Sequence, residues 1–179
     1  MTSLSASPLA QASEAGFGLY VHWPFCRAKC PYCDFNSHVV QTIDEEAWRQ
    51  ALLTDLDHSL RQMTEAGGTI GPLSSIFFGG GTPSLMPPHI ISDIIERAVS
   101  LCGATDDCEI TAEANPTSTE TATLRAFRDA GINRVSLGIQ ALDDEALRFL
   151  GRDHSATEAL AALGQARDLF DRVSFDWIY

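Results

Sequence analysis

The chain has 179 residues, of which 45% are hydrophobic and 20% charged, a composition that sets aside wholly disordered and collagen-like chains and suits about one domain. Its 24 acidic residues against 12 basic ones leave a formal charge of −12, so a phosphate backbone is repelled and sequence-independent nucleic-acid binding is not expected. No apolar stretch approaches the roughly 20 residues that a membrane-spanning helix requires.

Met1 to Gly16 lacks both the basic start and the apolar centre of a secretory leader, and residues 1–16 read as a loose polar tail ahead of a core over residues 17–179. Leu19–Trp23 is a strand-like run stopped by Pro24, which has no N–H for a ladder. A cysteine-bearing loop follows to about Ser37. Asp44, Glu45 and Glu46 then open a helix on its favoured acidic end. Trp48, Leu52, Leu56, Leu60 and Met63 form its apolar face, and Gly67–Gly68 ends it. Ser75–Phe78 is apolar after its first residue, as a strand buried on both faces would be.

The alternation continues. A glycine loop, Gly79 to Ser84, leads to a helix from about Pro88 to Leu101, with Ile91, Ile94, Ile95, Ala98 and Val99 inward. Glu109–Glu113 is a third strand. A helix from Thr119 runs through Leu124, Phe127 and Ala130 to a stop at Gly131, and Arg134–Ile139 is the fourth strand. Asp143 and Asp144 cap a short helix ending at Gly151. Ser155 with Glu158 carries the capping-box pattern for another helix, and Val173–Tyr179 is a fifth strand.

Strands alternating with helices predict a parallel sheet with its helices outside, either an open doubly wound sheet or a barrel. The polar and glycine-rich segments all follow the C-terminal ends of strands, where both architectures place their chemistry. The last strand has no covering helix, so it is expected to be a bare edge. The chain is accordingly expected to be part of a longer polypeptide, loosely packed or poorly soluble by itself.

Cys26, Cys30 and Cys33 cluster in the first loop, while Cys102 and Cys108 lie near the start of the third strand at the opposite end of the sheet, where they read as packing or surface residues. Clustered cysteines without a secretory leader indicate metal binding in a reducing compartment, the cytoplasm. A structural zinc wants four protein ligands. A [4Fe–4S] cube held by three thiolates keeps one iron open to a small chelating ligand. Both alternatives stand on the residues alone.

Cys26-x3-Cys30-x2-Cys33 after a first strand, with Tyr32 before the third cysteine and Gly79-Gly80-Gly81-Thr82-Pro83 after the second strand, resembles the radical S-adenosylmethionine superfamily. Within it, Tyr20–Cys26, Cys30–His38, Phe78–Ser84, Glu113–Pro116, Ser136–Gln140, Leu150–His154 and Asp176–Tyr179 resemble the coproporphyrinogen-dehydrogenase-like group over nearly all of residues 17–179. The oxygen-independent coproporphyrinogen III dehydrogenases of that group carry a fourth cysteine two positions after the third. Here Phe35 stands there, and the string from Cys30 to His38 is similar to that of the HemW-type heme chaperones.

The resemblance implies a partial TIM-like (β/α) barrel of the radical SAM type, cut after about five strands, and a cluster held by Cys26, Cys30 and Cys33. It implies an S-adenosylmethionine pocket lined by Tyr20 and Tyr32. Gly80, Gly81 and Thr82 would cradle the methionine end. Glu113 would take the ribose hydroxyls, Arg152 would meet the carboxylate, and Gln140 and Asp176 would stand at further strand ends. A reduced cluster would cleave the sulfonium to methionine and a 5′-deoxyadenosyl radical, or cluster and cofactor would gate heme binding instead. Heme, a heme-accepting protein and a flavodoxin- or ferredoxin-type electron donor are the implied partners. Heme itself is expected mainly on sequence further towards the C-terminus, and His22, His38 and His154 are expected to be structural or exposed rather than heme ligands. Three readings follow: a heme chaperone, a coproporphyrinogen III oxidase or dehydrogenase of heme biosynthesis, and a structural module holding zinc or a cluster.

Overall fold

The computed structural model describes residues 16–179, and most of the expected polar tail lies outside the described residues. Five parallel strands form the main sheet in the order β1 (Phe17–Trp23), β4 (Leu73–Gly80), β5 (Ala104–Ala114), β6 (Arg134–Gln140), β7 (Arg172–Trp177). β1 and β7 are edges, so the sheet does not close. It is a partial barrel of the expected kind.

Six helices cross between the strands: α1 (Glu45–Glu65), α2 (Pro88–Cys102), α3 (Ser118–Thr121), α4 (Leu124–Asp129), α5 (Asp144–Phe149) and α6 (Ala156–Leu169). Asp44 caps α1 through the Ala47 N–H, and Asp143 caps α5 through that of Ala146. Ser155 and Glu158 complete the capping box of α6. Gly67, at φ 80°, turns the chain out of α1, where the Gly67 and Gly68 N–H groups donate to Thr64 and Met63 carbonyls.

Side chains alternate across a strand, and the two faces of this sheet differ in kind. Val21, Trp23, Ile76, Phe78, Ala112, Val135, Leu137 and Ile139 face the helices and are buried with Ile90, Ile94, Leu124, Phe127, Ala159 and Ala162. The other face carries Tyr20, Phe77, Glu109, Thr111, Arg134, Ser136, Arg172 and Ser174. Glu109 accepts from Arg134 at 2.6 Å and from Arg172 at 3.2 Å, while Ser174 links Arg134 to Ser136. This concave face is largely polar across β5, β6 and β7, where charge pairs hold it, with aromatic stacking of Phe77 on Tyr20 at the β1–β4 side.

Four expectations change. The second strand is not buried on both faces: Phe77 stacks on Tyr20 on the concave side, and Tyr20 is 57% exposed. Val99 faces solvent, and Ile90 takes an inward place in α2. Met63 sits at the exposed margin of α1, whose buried centre is Leu56. The single helix expected from Thr119 is two short ones, broken at Ala122–Thr123, where the Thr123 hydroxyl donates to the Glu120 carbonyl and draws the backbone into a turn.

Candidate functional site

The C-terminal ends of all five main strands open on one side of the sheet, and the loop after β1 folds over them. Two short strands, β2 (Phe25–Cys26) and β3 (His38–Val39), pair in parallel and close this loop. The His38 N–H donates to the Pro24 carbonyl at 2.7 Å, and the His22 ring bonds the Asn36 carbonyl at 2.9 Å. Trp23, Phe25 and Trp48 meet edge to face and root the loop on α1. Inside the loop the Cys33 N–H donates to the Cys30 carbonyl, forming the turn that presents both sulfurs.

One cavity of about 160 Å³ is lined by Cys26, Cys30 and Cys33 together with Tyr32, Gly81, Thr82, Glu113, Gln140, Arg152 and Asp176. Ten of the twelve residues expected at the site therefore share it. Tyr20 and Gly80 do not line it. Tyr20 lies behind Gly79, and Gly80, at φ 116°, turns the end of β4 against His22 and donates its N–H to Glu113. The N–H groups of Gly81 and Thr82 are spent on the Trp23 and Phe25 carbonyls, at 2.7 and 2.8 Å. Any cradle they offer a ligand thus consists of their carbonyls and the close backbone approach.

Burial lifts the Glu113 carboxyl above its usual range; the Gly80 bond pulls it down, and Asp176 nearby pushes it up again. Gln140 is 8% exposed and holds φ at 65°, an uncommon conformation for a residue with a side chain. The Ala141 N–H turns back to the Ile139 carbonyl around it at 2.8 Å. Arg152, just beyond α5, donates to the Gly138 carbonyl at 2.8 Å and to Asn115 Oδ1 at 2.6 Å, and reaches Cys30 Sγ at 3.4 Å. Phe35, 55% exposed, stands at the cavity wall.

The donor set fits a cluster with a small ligand at its side. All three thiols are free and share one space with Glu113, Gln140 and Arg152. Arg152 Nε and Ser37 Oγ are buried at the same wall without a partner, which leaves hydrogen-bonding capacity for a bound polar group. Among the described residues no three His, Cys, Asp or Glu side chains converge as ligands of one ion, the arrangement a structural zinc uses. A multi-iron cube asks for a wider set of thiolates, since each holds a separate iron.

Asn115, Ser136 and Gly138 also line the cavity and were given no role by motif. They lie inside the strings Glu113–Pro116 and Ser136–Gln140, whose family likeness was the available signal. His22 and His154 are engaged with backbone carbonyls and His38 is exposed, so all three have the structural or surface surroundings expected of them. Cys102 and Cys108 lie away from the cavity and pack partly against the core.

Parallel strands with outer helices, carrying a three-cysteine loop over their C-terminal ends, define a protein of the partial (β/α) barrel class. The chain belongs to the Radical SAM superfamily, which matches residues 20–178. It is 42% identical over 175 residues to the mouse protein named radical S-adenosyl methionine domain-containing protein 1, mitochondrial, covering 97% of this chain and 38% of that one. It is 41% identical over 150 residues to the heme chaperone HemW of Haemophilus influenzae, covering 83% and 39%. The solved coproporphyrinogen III oxidase HemN of Escherichia coli superposes with a TM-score of 0.76 at 28% identity, over 97% of this chain and 41% of that one. The chain thus spans about two fifths of the length of these relatives.

Proposed function

We propose that this chain is the cluster- and S-adenosylmethionine-binding part of a heme chaperone of the HemW type, with residues 17–179 forming the N-terminal portion of a longer core. The observation that carries the reading is the shared cavity of Cys26, Cys30 and Cys33 with Glu113, Gln140 and Arg152, joined to Phe35 in the position of the dehydrogenases' fourth cysteine. The identity to HemW of Haemophilus influenzae supports the chaperone branch.

In this reading Cys26, Cys30 and Cys33 hold the cluster, and Arg152 offers its unpartnered Nε to the cofactor carboxylate. Glu113 accepts the ribose hydroxyls. Its burial, and to a lesser degree its neighbour Asp176, keep it less willing to ionise, so a hydroxyl donor relieves the carboxylate as it binds. Gln140 presents a donor and an acceptor from a rigid turn, and the Gly81 backbone beside Thr82 admits the methionine end without a Cβ in the way, Gly80 shaping the turn behind it. Tyr32 contributes a wall of the pocket, while Tyr20 lies behind Gly79 and supports it from outside. When bound, a reduced cluster supplies the single electron that cleaves a sulfonium or, in a chaperone, ties heme handling to cofactor occupancy.

Heme, a heme-accepting protein and a flavodoxin- or ferredoxin-type donor are the proposed partners. All the thiols are free, in keeping with a reducing compartment. The cytoplasm is the proposed one, with the mitochondrion as the alternative from the mouse relative's name. No helix among the described residues is long and apolar enough to cross a membrane.

The second reading, a coproporphyrinogen III oxidase, is favoured by the likeness to HemN. Full-length protein reconstituted without air separates the two. The chaperone reading expects stoichiometric heme binding and no protoporphyrinogen from coproporphyrinogen III. Catalytic formation of that product overturns it, and stoichiometric zinc in place of iron and sulfide overturns both.

A further inference from the structure

Glu120 stands outside the cavity wall formed by the cysteines, yet it is only 4% exposed and its carboxylate collects three hydrogen bonds. They come from the Ser84 hydroxyl, from the Asn115 backbone N–H at 2.8 Å and from Asn115 Nδ2 at 3.3 Å. Ser84 belongs to the 3₁₀ turn after the glycine loop, and Asn115 follows β5. One carboxylate thus ties together two of the loops beside the cysteines.

A carboxylate oxygen only accepts, so the amide of Asn115 has to turn its Nδ2 towards Glu120 and its Oδ1 away. That Oδ1 takes the Arg152 Nη2 hydrogen bond at 2.6 Å, and the other terminal nitrogen of Arg152 points at Cys30 Sγ, 3.4 Å away. A glutamine in place of Glu120 removes the constraint. Its NH2 group can face Asn115, the amide reverses, and Nδ2 then meets a guanidinium that has nothing to accept with.

We propose that Glu120 is a positioning residue, which through the Asn115 amide aims the Arg152 guanidinium at the Cys30 sulfur and so sets the electron affinity of a cluster held there. This rests on the cluster reading given above. An N–H donated to a ligating sulfur favours the reduced, more negative cluster and raises its potential. The same aim fixes the Nε available to the cofactor carboxylate.

The test uses full-length protein with its cluster rebuilt under anaerobic conditions, comparing the parent with Glu120→Gln. Iron and sulfide content, the midpoint potential followed by electron paramagnetic resonance, and S-adenosylmethionine affinity are measured. The expected result is unchanged iron and sulfide, a more negative potential, and a dissociation constant raised about tenfold. Asn115→Ala keeps Glu120 bonded to Ser84 and to the residue 115 N–H, and it should lower the potential in the same direction. It decides the matter if Glu120→Gln does not fold. A parent potential retained in either folded, cluster-bearing variant overturns the proposal alone. A parent that assembles no cluster overturns the underlying reading as well.

Discussion

Gly81 and Cys26 touch: a Cβ on Gly81 would stand 2.9 Å from Cys26 Sγ and 2.7 Å from the Phe25 carbonyl oxygen. The glycine loop after β4 thus packs its backbone directly against the first cysteine, and the Gly81 and Thr82 N–H groups lock that approach. Gly81→Ala forces backbone, not a flexible side-chain tip, to move. The expected cost is about 1–3 kcal/mol, the range for overpacking a tight contact. Thermal unfolding would show a drop of several degrees, with reduced iron loading. An unchanged melting temperature and full loading would contradict the contact.

Cys30 lies under the Arg152 guanidinium, whereas Cys102 and Cys108 pack away from the cavity. In the proposed cluster, removing one of three thiolates would leave an iron of the cube without its anchor. Cys30→Ala should therefore lower iron and sulfide from about four each per chain to below about one after anaerobic reconstitution. Cys102→Ala should keep the parent content. Equal loading in both variants would place the cluster elsewhere.

Glu113 has its carboxyl raised above its ordinary value of 4.5, chiefly by burial. A carboxyl raised on folding adds stability below its unfolded value and loses it as pH climbs through the folded one. Near neutral pH the ionised group thus opposes folding. Glu113→Gln is expected to raise the melting temperature at about pH 7 by roughly 1–3 °C, with the gain fading below about pH 4. The same variant should weaken S-adenosylmethionine binding about tenfold, since a neutral acceptor holds hydroxyls less strongly. A destabilised variant at neutral pH would reverse the sign.

His154 is buried, donates through Nε2 to the Ile139 carbonyl at 3.1 Å, and has no partner at Nδ1. Burial first and the Arg152 charge second lower its affinity for a proton below the ordinary value of 6.5. The stability of a neutral, depressed imidazole is present above that value and is lost as pH falls through the folded one. Melting temperature should fall by about 2–5 °C between about pH 7.5 and pH 5. His154→Gln, which keeps a donor for Ile139 but does not titrate, should flatten that part of the profile. An equally steep fall in the variant would assign it to other groups.

Much of the alternation was legible because it rests on local rules. Acidic first turns, the Ser155–Glu158 box and the glycine stops act within a few residues, and each helix start they mark is where it was expected. The misreadings came from contacts that local rules do not contain. Phe77 reads as core by composition, but strand order puts it on the concave face beside Tyr20. Val99 fits the helical period, yet the sheet lies on the side that Ile90 occupies. The break at Ala122–Thr123 depends on a hydroxyl choosing a backbone carbonyl.

The candidate site divides in the same way. The cysteine spacing and the glycine run are short-range patterns and could be found without coordinates. Glu120 could not, and Asn115 stood out only as part of the Glu113–Pro116 string, because the bonds they make join loops that meet only once β4, β5 and β6 lie side by side.

The chain's own order of residues determined the element types, the parallel alternation and the clustering of three cysteines in one loop, since each follows from nearest neighbours and from the two periods of helix and strand. Tertiary structure alone decided which face of each strand lines the concave side, how the β2–β3 pair closes the cysteine loop, and where Arg152 points. Those choices follow from the polar face of an unclosed sheet and from hydrogen bonds between residues far apart in the chain, which strand order brings within 3 to 4 Å of one another.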